Sequence, residues 1–120
     1  MKKTIMLFAG TTEGRRICEF LAVKKCITHV YVTTEYGKEL LPGQNNVHIH
    51  VGKMDGKQMS DEIKAIHPDI VIDATHPYAT QVTHNIKEAC DSRHIFYVRV
   101  LREENTEKAG NNADNIIYTE

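Results

Sequence analysis

Two short stretches of this sequence carry residue types that can bind or transform a ligand. The first is the turn Gly10-Thr11-Thr12-Glu13-Gly14, where small and hydroxyl residues follow an apolar run. The second is Thr75-His76-Pro77, which follows another apolar run. Glycine lets backbone approach a ligand closely, and the free N–H groups at the start of a helix attract anions. The first stretch therefore suggests a phosphate site, and the second supplies a histidine that could hold or transfer a proton.

The turn at Gly10 departs from the dinucleotide-binding fingerprint. Gly10 and Gly14 have the spacing Gly-x-x-x-Gly, whereas the fingerprint is Gly-x-Gly-x-x-Gly. Tight turns between a strand and a helix use glycine whether or not they bind anything, so a turn without a ligand stays open as an alternative. Thr11 and Thr12 could contact phosphate or cap the helix. Glu13 could contact a ligand or stabilise the first helical turn.

Other side chains near these stretches also have two interpretations each. Arg15 and Arg16 could reach a phosphate or an acidic substrate, or they could be solvated on the helix surface. Thr75 and His76 could contact a substrate or cap the following helix. Tyr78 could stack on a flat ligand or pack against the protein.

The remaining acidic and histidine residues give weaker signals. His48 and His50 share one face of a predicted strand, but no third ligand is apparent, so we predict a solvated face and no metal site. Asp73 would suit a phospho-accepting receiver only if an acidic pair followed the first strand. Ala9 and Gly10 occupy that place, which excludes the receiver.

Alternating strand and helix patterns determine how the two stretches are positioned. Apolar, β-rich runs predict strands over residues 4–9, 29–33, 47–51, 69–73 and 95–100. Helical spacing predicts helices over residues 12–24, a short turn at 34–41, a helix containing Met59, Ile63 and Ile66 that ends at Pro68, and a helix that begins at Pro77.

This alternation predicts an α/β, Rossmann-like three-layer domain. Its parallel sheet has about five strands in the order 3-2-1-4-5. Strands one and four are neighbours in that order. The turns that follow them, at Gly10 and at Thr75-His76-Pro77, are therefore expected to face each other across one crevice.

Composition restricts the class of protein. The chain has 120 residues, 41% of them hydrophobic and 26% charged, which suits about one globular domain. Its net charge of -1 argues against a general affinity for nucleic acid or for an anionic membrane. The three cysteines form neither a Cys-x-x-Cys pair nor a disulfide framework, so we expect a cytoplasmic protein.

The sequence changes character after residue 102. Residues 103–115 are polar and contain glycine and several asparagines, whereas Ile116-Ile117-Tyr118 resembles the start of another strand. We therefore expect residues 1–102 to form the Rossmann-like domain. Residues 103–120 are expected to form a linker and the start of a second domain that is missing from this chain.

Four motifs in the same order resemble the N-terminal half of the precorrin-6A reductase family. They lie at residues 8–15, 34–37, 52–55 and 73–79, the last reading Asp-Ala-Thr-His-Pro-Tyr-Ala, and the resemblance covers residues 4–102. It implies an oxidoreductase of cobalamin biosynthesis that uses NADPH to reduce a double bond of the corrin macrocycle, with or without cobalt. It also implies an active site between two α/β domains, so this chain alone is expected to be inactive until the missing C-terminal domain completes the cleft.

The resemblance also implies roles for particular residues. His76 and Tyr78 would lie where the hydride meets the macrocycle, and His76 would be the proton donor, with water or the missing half as alternatives. Arg99 and Arg102 would meet substrate carboxylates, with solvation as the alternative for Arg102. The residues expected to bind NADPH are Gly10, Thr11, Thr12, Glu13, Gly14, Arg15, Thr34, Glu35 and Thr75.

The cofactor expectation contains one conflict. An acidic residue after the second strand normally accepts the ribose 2′-hydroxyl of NAD and repels a 2′-phosphate. Glu35 fits NADPH only if it turns away and Lys38 or Arg15 binds the phosphate. Two other functions stay open, namely a non-catalytic nucleotide-binding Rossmann-like domain and a structural α/β domain without a small ligand.

Overall fold

The computed structural model describes residues 2–102 and 116–119. The linker predicted at residues 103–115 lies outside this range. The strands are β1 (Lys3–Phe8), β2 (Cys26–Val32), β3 (Val47–Val51), β4 (Ile70–Asp73), β5 (Phe96–Arg102) and β6 (Ile116–Thr119). The helices are α1 (Thr12–Ala22), α2 (Glu35–Glu39), α3 (Gly56–Ile66) and α4 (Thr80–Ser92).

The strands form one parallel sheet in the order β3-β2-β1-β4-β5-β6. β1 is central, and its last residue, Phe8, pairs with Tyr31 of β2 on one side and with Asp73 of β4 on the other. The predicted order 3-2-1-4-5 is therefore confirmed. The strand predicted at residues 116–118 is present as β6, which pairs with β5 and adds a sixth strand to the sheet.

The core has two layers because both faces of the sheet are covered. In β1, Met6 faces α3 and α4, whereas Leu7 faces α1, and both side chains are fully buried. A strand covered on both faces needs apolar side chains at consecutive positions. This requirement explains the unbroken apolar run that precedes Gly10.

Two helices differ from the predicted pattern. α4 begins at Thr80, so the prediction that Pro77 occupies its first position is wrong. Pro77 lies instead in a turn closed by a 2.9 Å hydrogen bond from Ala79 N to His76 O. In α1, the apolar residue Phe20 departs from the burial typical of an amphipathic helix: it is 60% exposed, with the Lys24 ammonium 4.6 Å from its ring centre.

Candidate functional site

A cleft of about 640 Å³ opens at the carboxyl ends of the strands. The turn after β1, the segment after β2 and the turn after β4 form its walls, together with the end of β5. This is the crevice in which open parallel sheets bind ligands, beside the point where the strand order reverses. The predicted opposition of the β1 and β4 turns is therefore present.

Most of the predicted site residues line this cleft, and three do not. Those that line it are Gly10, Thr11, Thr12, Glu13, Arg15, Thr34, Thr75 and His76. Gly14, Glu35 and Tyr78 lie outside the lining.

The β1 turn is shaped by Gly10 and Thr11. Gly10 has φ +139°, and a Cβ added there would meet nothing within 4 Å, so the turn needs glycine and leaves space for a ligand. The Thr11 hydroxyl accepts a 3.1 Å hydrogen bond from Gly14 N and donates a 2.6 Å hydrogen bond to Ala74 O. Thr11 therefore caps α1 and also joins the β1 turn to the β4 turn.

The start of α1 presents donors to the cleft. The first intrahelical hydrogen bond runs from Arg15 N to Thr11 O, so the preceding N–H groups, at Thr12 and Glu13, have no partner within the helix. The Arg15 Nε atom is also buried, and it has no hydrogen-bond partner among the described residues. Thr12 and Glu13 line the cleft, so their N–H groups suit an anion bound there.

Gly14 has a packing role. A Cβ on this buried residue would lie 2.9 Å from Ala9 Cβ and 3.0 Å from Ala9 Cα. Glycine therefore allows α1 to lie directly against the end of β1, which fixes where the helix start meets the cleft.

Glu13 and Arg102 form an ion pair on the cleft wall. Arg102 Nε lies 2.9 Å from a Glu13 carboxylate oxygen, and the Glu13 side chain is 8% exposed. The acidic group lies in the first turn of α1, where it also interacts favourably with the helix dipole. The pair ties the end of β5 to α1 and places one positive and one negative group beside the cleft.

Arg99 was expected to meet substrate carboxylates, and this expectation is wrong. Its side chain is 8% exposed and forms a buried ion pair with Asp73, 3.3 Å between nitrogen and oxygen. The sequence motifs did not predict this ion pair with Asp73. An arginine inside the apolar run of a buried strand nevertheless indicates that the strand has a buried acidic partner. Such a charge must have a buried partner, because an unpaired one is too costly to desolvate.

The β4 turn presents Thr75 and His76 to the cleft, and neither caps α4. The N-cap of α4 is Ala79, which makes no side-chain cap hydrogen bond. His76 is exposed, and its Nδ1 accepts a 3.1 Å hydrogen bond from Tyr78 N. Neutral His76 therefore carries its proton on Nε2. Tyr78 is 84% exposed, with its ring centre 5.1 Å from that of His76.

The segment after β2 contributes Thr34, which caps α2 by accepting a 3.0 Å hydrogen bond from Gly37 N. Glu35 and Lys38 follow within this five-residue helix, and both are exposed. The exposed position of Glu35, outside the cleft lining, fits a carboxylate that turns away from a ligand.

Within residues 2–102 and 116–119, no group of three or more histidine, cysteine, aspartate or glutamate side chains could hold a metal ion. In the same described part of the chain, no helix has the length and apolarity needed to cross a membrane. The cysteines are buried and outside the cleft lining. Burial raises the pKa of Cys18 to about 11 and that of Cys90 to about 12, so neither supplies a thiolate near neutral pH.

Comparison with known proteins identifies relatives along nearly the whole chain. The profile of the family described as "Precorrin-6x reductase CbiJ/CobK" matches residues 4–120. The cobalt-precorrin-6A reductase of Methanocaldococcus jannaschii is 34% identical over 116 residues, which make up 95% of this chain and 44% of that protein. The chain spans 34% to 44% of the length of the curated relatives it matches.

Two solved structures share the fold. A structure of CobK precorrin-6A reductase has a TM-score of 0.70 at 24% identity, covering 85% of this chain and 39% of that one. The Bordetella bronchiseptica enzyme WbmH in complex with NAD+ has a TM-score of 0.69 at 17% identity, covering 86% of this chain and 40% of that one. At these identities the likeness establishes the fold alone.

Proposed function

Because this chain belongs to the precorrin-6x reductase family, we propose that it forms the NADPH-binding half of a reductase acting on the corrin macrocycle in cobalamin biosynthesis. The substrate is precorrin-6A or its cobalt-bearing form, and one double bond is reduced. A second domain, expected from the greater length of the relatives, would complete the cleft. The buried free cysteines support a reducing compartment, so we place the protein in the cytoplasm.

The observation that carries this proposal is the set of unpaired donors at the start of α1. Gly10 leaves open space in front of the helix start, where the N–H groups of Thr12 and Glu13 have no partner within the helix. Both features suit a pyrophosphate, which needs close backbone approach and several donors. The WbmH enzyme, which has a similar fold, holds NAD+, and this supports a nicotinamide dinucleotide as the ligand.

The remaining cleft residues fit the two halves of such a ligand. In Rossmann-like domains the adenosine ribose lies at the end of the second strand, so we assign it to Thr34. The nicotinamide half is then assigned to the β4 turn, beside Thr75 and His76. Glu35 is exposed, which leaves Arg15 or Lys38 to bind the 2′-phosphate of NADPH.

When bound, a reduced nicotinamide supplies a hydride, and the protein supplies binding and orientation. Two glycines and Thr11 hold the β1 turn in the shape that receives the phosphates. Thr75 and His76 form the opposite wall. Reduction of a double bond also needs a proton, and we assign the donor as His76, which would give up its Nε2 proton from the protonated imidazolium form and return to the neutral ring. Tyr78, whose exposed ring lies beside His76, is assigned to contact the flat macrocycle.

The first test is a fluorescence titration of this chain with NADPH and NADH. We expect NADPH to bind, and to bind more tightly than NADH. Gly10→Ala is expected to lower the affinity for NADPH about tenfold or more, because the new side chain strains the turn and fills the space proposed for the phosphates. Gly52→Ala is the matched control, since Gly52 has φ +133° and equally open surroundings but lies outside the cleft lining.

Three results would count against the proposal. Tighter binding of NADH would reject the 2′-phosphate assignment. Equal losses of affinity in Gly10→Ala and Gly52→Ala would show that the β1 turn does not contact the dinucleotide. Absence of binding at roughly millimolar dinucleotide would mean a binding free energy weaker than about -4 kcal/mol. This result would favour a structural domain without a small ligand.

A non-catalytic nucleotide-binding domain is the second candidate, because the chain spans less than half the length of the matched reductases. The two candidates differ in hydride transfer. NADPH oxidation by this chain in the presence of the corrinoid precursor would show a complete catalyst. Binding without oxidation would show the binding function alone.

A further inference from the structure

The turn after β4 lacks regular secondary structure from Ala74 to Ala79, where α4 has its N-cap. Two backbone hydrogen bonds hold its ends, from Ala74 N to Phe8 O and from Ala79 N to His76 O, so the backbone between them depends on side chains. Thr75 and His76, in this turn, line the cleft. The side chains that fix their backbone therefore influence the cleft.

Arg99 on β5 binds this backbone directly. Its Nη1 donates to Asp73 O at 3.1 Å and to Thr75 O at 2.9 Å, and its Nη2 donates to His76 O at 3.3 Å. One buried guanidinium thus holds the last carbonyl group of β4 and two carbonyl groups of the turn. The planar fork of arginine makes this possible, whereas the ammonium of lysine is a single point with flexible reach.

Asp73 is the anion that holds Arg99 in place, and it is fully buried. One carboxylate oxygen accepts from Thr75 N at 3.1 Å, from Thr75 Oγ1 at 2.7 Å and from Arg99 Nη1 at 3.3 Å. The other accepts from Thr83 Oγ1 at 2.7 Å and from the Tyr97 hydroxyl at 2.9 Å. The network therefore connects β4, β5 and α4 to one side of the cleft.

We propose that Arg99, Asp73 and Thr83 are positioning residues, which set the backbone of the β4 turn and thereby the affinity for the nicotinamide half of the dinucleotide. This inference rests on the proposed function. Arg99, Asp73 and Thr83 lie outside the cleft lining, so they act on a ligand through Thr75 and His76. The adenosine half, assigned to the β2 side, does not depend on them.

The test compares two probes, NADPH and 2′,5′-ADP, which contains only the adenosine half with its 2′-phosphate. Arg99→Lys keeps the positive charge beside Asp73 but loses the fork that holds the turn. This variant is expected to lower the affinity for NADPH about tenfold, as for the loss of one or two hydrogen bonds. Its affinity for 2′,5′-ADP is expected to stay unchanged. Arg93→Lys is the control, since Arg93 also donates to a carbonyl, Ala89 O, but away from the cleft.

A second pair of variants tests the network without altering its charge. Thr83→Val removes one donor to Asp73. It is expected to lower the affinity for NADPH several-fold and to leave the affinity for 2′,5′-ADP unchanged. Thr83→Ser keeps the hydroxyl and should restore wild-type affinity. If Arg99→Lys fails to fold, as judged by circular dichroism, the Thr83 pair decides the question.

The outcomes separate this inference from the proposed function. Wild-type affinity for NADPH in both Arg99→Lys and Thr83→Val would overturn the inference alone. Equal weakening of both probes would also overturn it, because the network would then support the whole domain and not the β4 turn. Failure of the wild-type chain to bind either probe would overturn the proposed function and this inference together.

Discussion

His76 is held at the cleft by contacts made to its backbone and ring, and none of them requires regular secondary structure. Arg99 binds its carbonyl oxygen, and Tyr78 N donates to its Nδ1. The imidazole Nε2 is thereby left as the donor in the neutral ring. Nε2 is free to face a ligand, and protonation of the ring, which ends the contact between Tyr78 N and Nδ1, would make Nε2 able to give up a proton to that ligand.

We expect His76→Ala to reduce turnover more than it weakens NADPH binding, when the substitution is made in a protein that contains both halves of the reductase. General acid catalysis contributes about 100-fold to 10,000-fold, so a loss within that range is predicted. Steady-state kinetics should show it in kcat.

His84→Ala provides the control for this substitution. His84 is an exposed histidine on α4, 3.3 Å from Glu88 and outside the cleft lining, so its removal should leave kcat unchanged. If His76→Ala had turnover near wild type, His76 would not be the proton donor. The proton would then come from water or from the second domain.

Among the elements, the contact between α1 and β1 decides where the unpaired backbone donors at the helix start lie. α1 approaches so closely that Gly14 has no room for a side chain, with Ala9 on one side and Ala74 Cβ at 3.4 Å on the other. This glycine was predicted to bind cofactor. The structure places it behind the cleft wall, where it allows the approach that brings Thr12 and Glu13 forward.

Gly14→Ala is expected to lower the free energy of unfolding by about 1–2 kcal/mol. Overpacking a close contact costs about 1–3 kcal/mol, and the better helix propensity of alanine returns up to about 1 kcal/mol. Urea unfolding measures the difference. Gly43→Ala is the control, since a Cβ there meets nothing within 4 Å and stability should stay within about 0.5 kcal/mol. Unchanged stability of Gly14→Ala would show that α1 can move away.

The sequence predicted the elements well wherever local pattern and tertiary context agree. The apolar run of β1 reflects burial on both faces, and the alternation of strands and helices predicted the observed order of strands. The start of α4 was predicted wrongly. Pro77 is a strong local signal for a first helical position, but Arg99, 22 positions further along the chain, holds the preceding carbonyls in a turn.

The candidate site was predictable to a similar degree. Its two turns could be located because small residues after a strand are a local signal. The roles of Asp73 and Arg99 could not be assigned, since they depend on a pairing between neighbouring strands. The same limit applies to Glu13 and Arg102, whose ion pair joins positions 89 residues apart.

A cluster of titratable side chains joins β2, the edge strand β3 and α3. His29 on β2 stacks on His48 and His50 of β3, with ring centres 4.9 and 5.3 Å apart. His29 Nδ1 and His50 Nε2 are 3.0 Å apart, so they share a single proton in a hydrogen bond. Tyr31 stacks on His50 and donates a 2.8 Å hydrogen bond to Glu62 of α3.

Burial lowers the pKa of His29 below its ordinary value of 6.5, and the charges of His50 and His48 lower it further, against a smaller opposing effect of Glu62. The unfolded chain therefore binds a proton at His29 at higher pH than the folded chain does. Stability is fully present above pH 6.5 and falls as the pH decreases from that value to the folded pKa, because protons favour the state that binds more of them.

Urea unfolding at about pH 7.5 and about pH 5.5, a window above the range in which most carboxylates titrate, is expected to show a lower midpoint at the lower pH. The chain has seven histidines, so the comparison needs a variant that removes this one group. His29→Asn keeps a polar side chain and lacks the titration, and its midpoint should depend less on pH. An equal pH dependence in wild type and His29→Asn would show that the edge cluster does not link protons to folding.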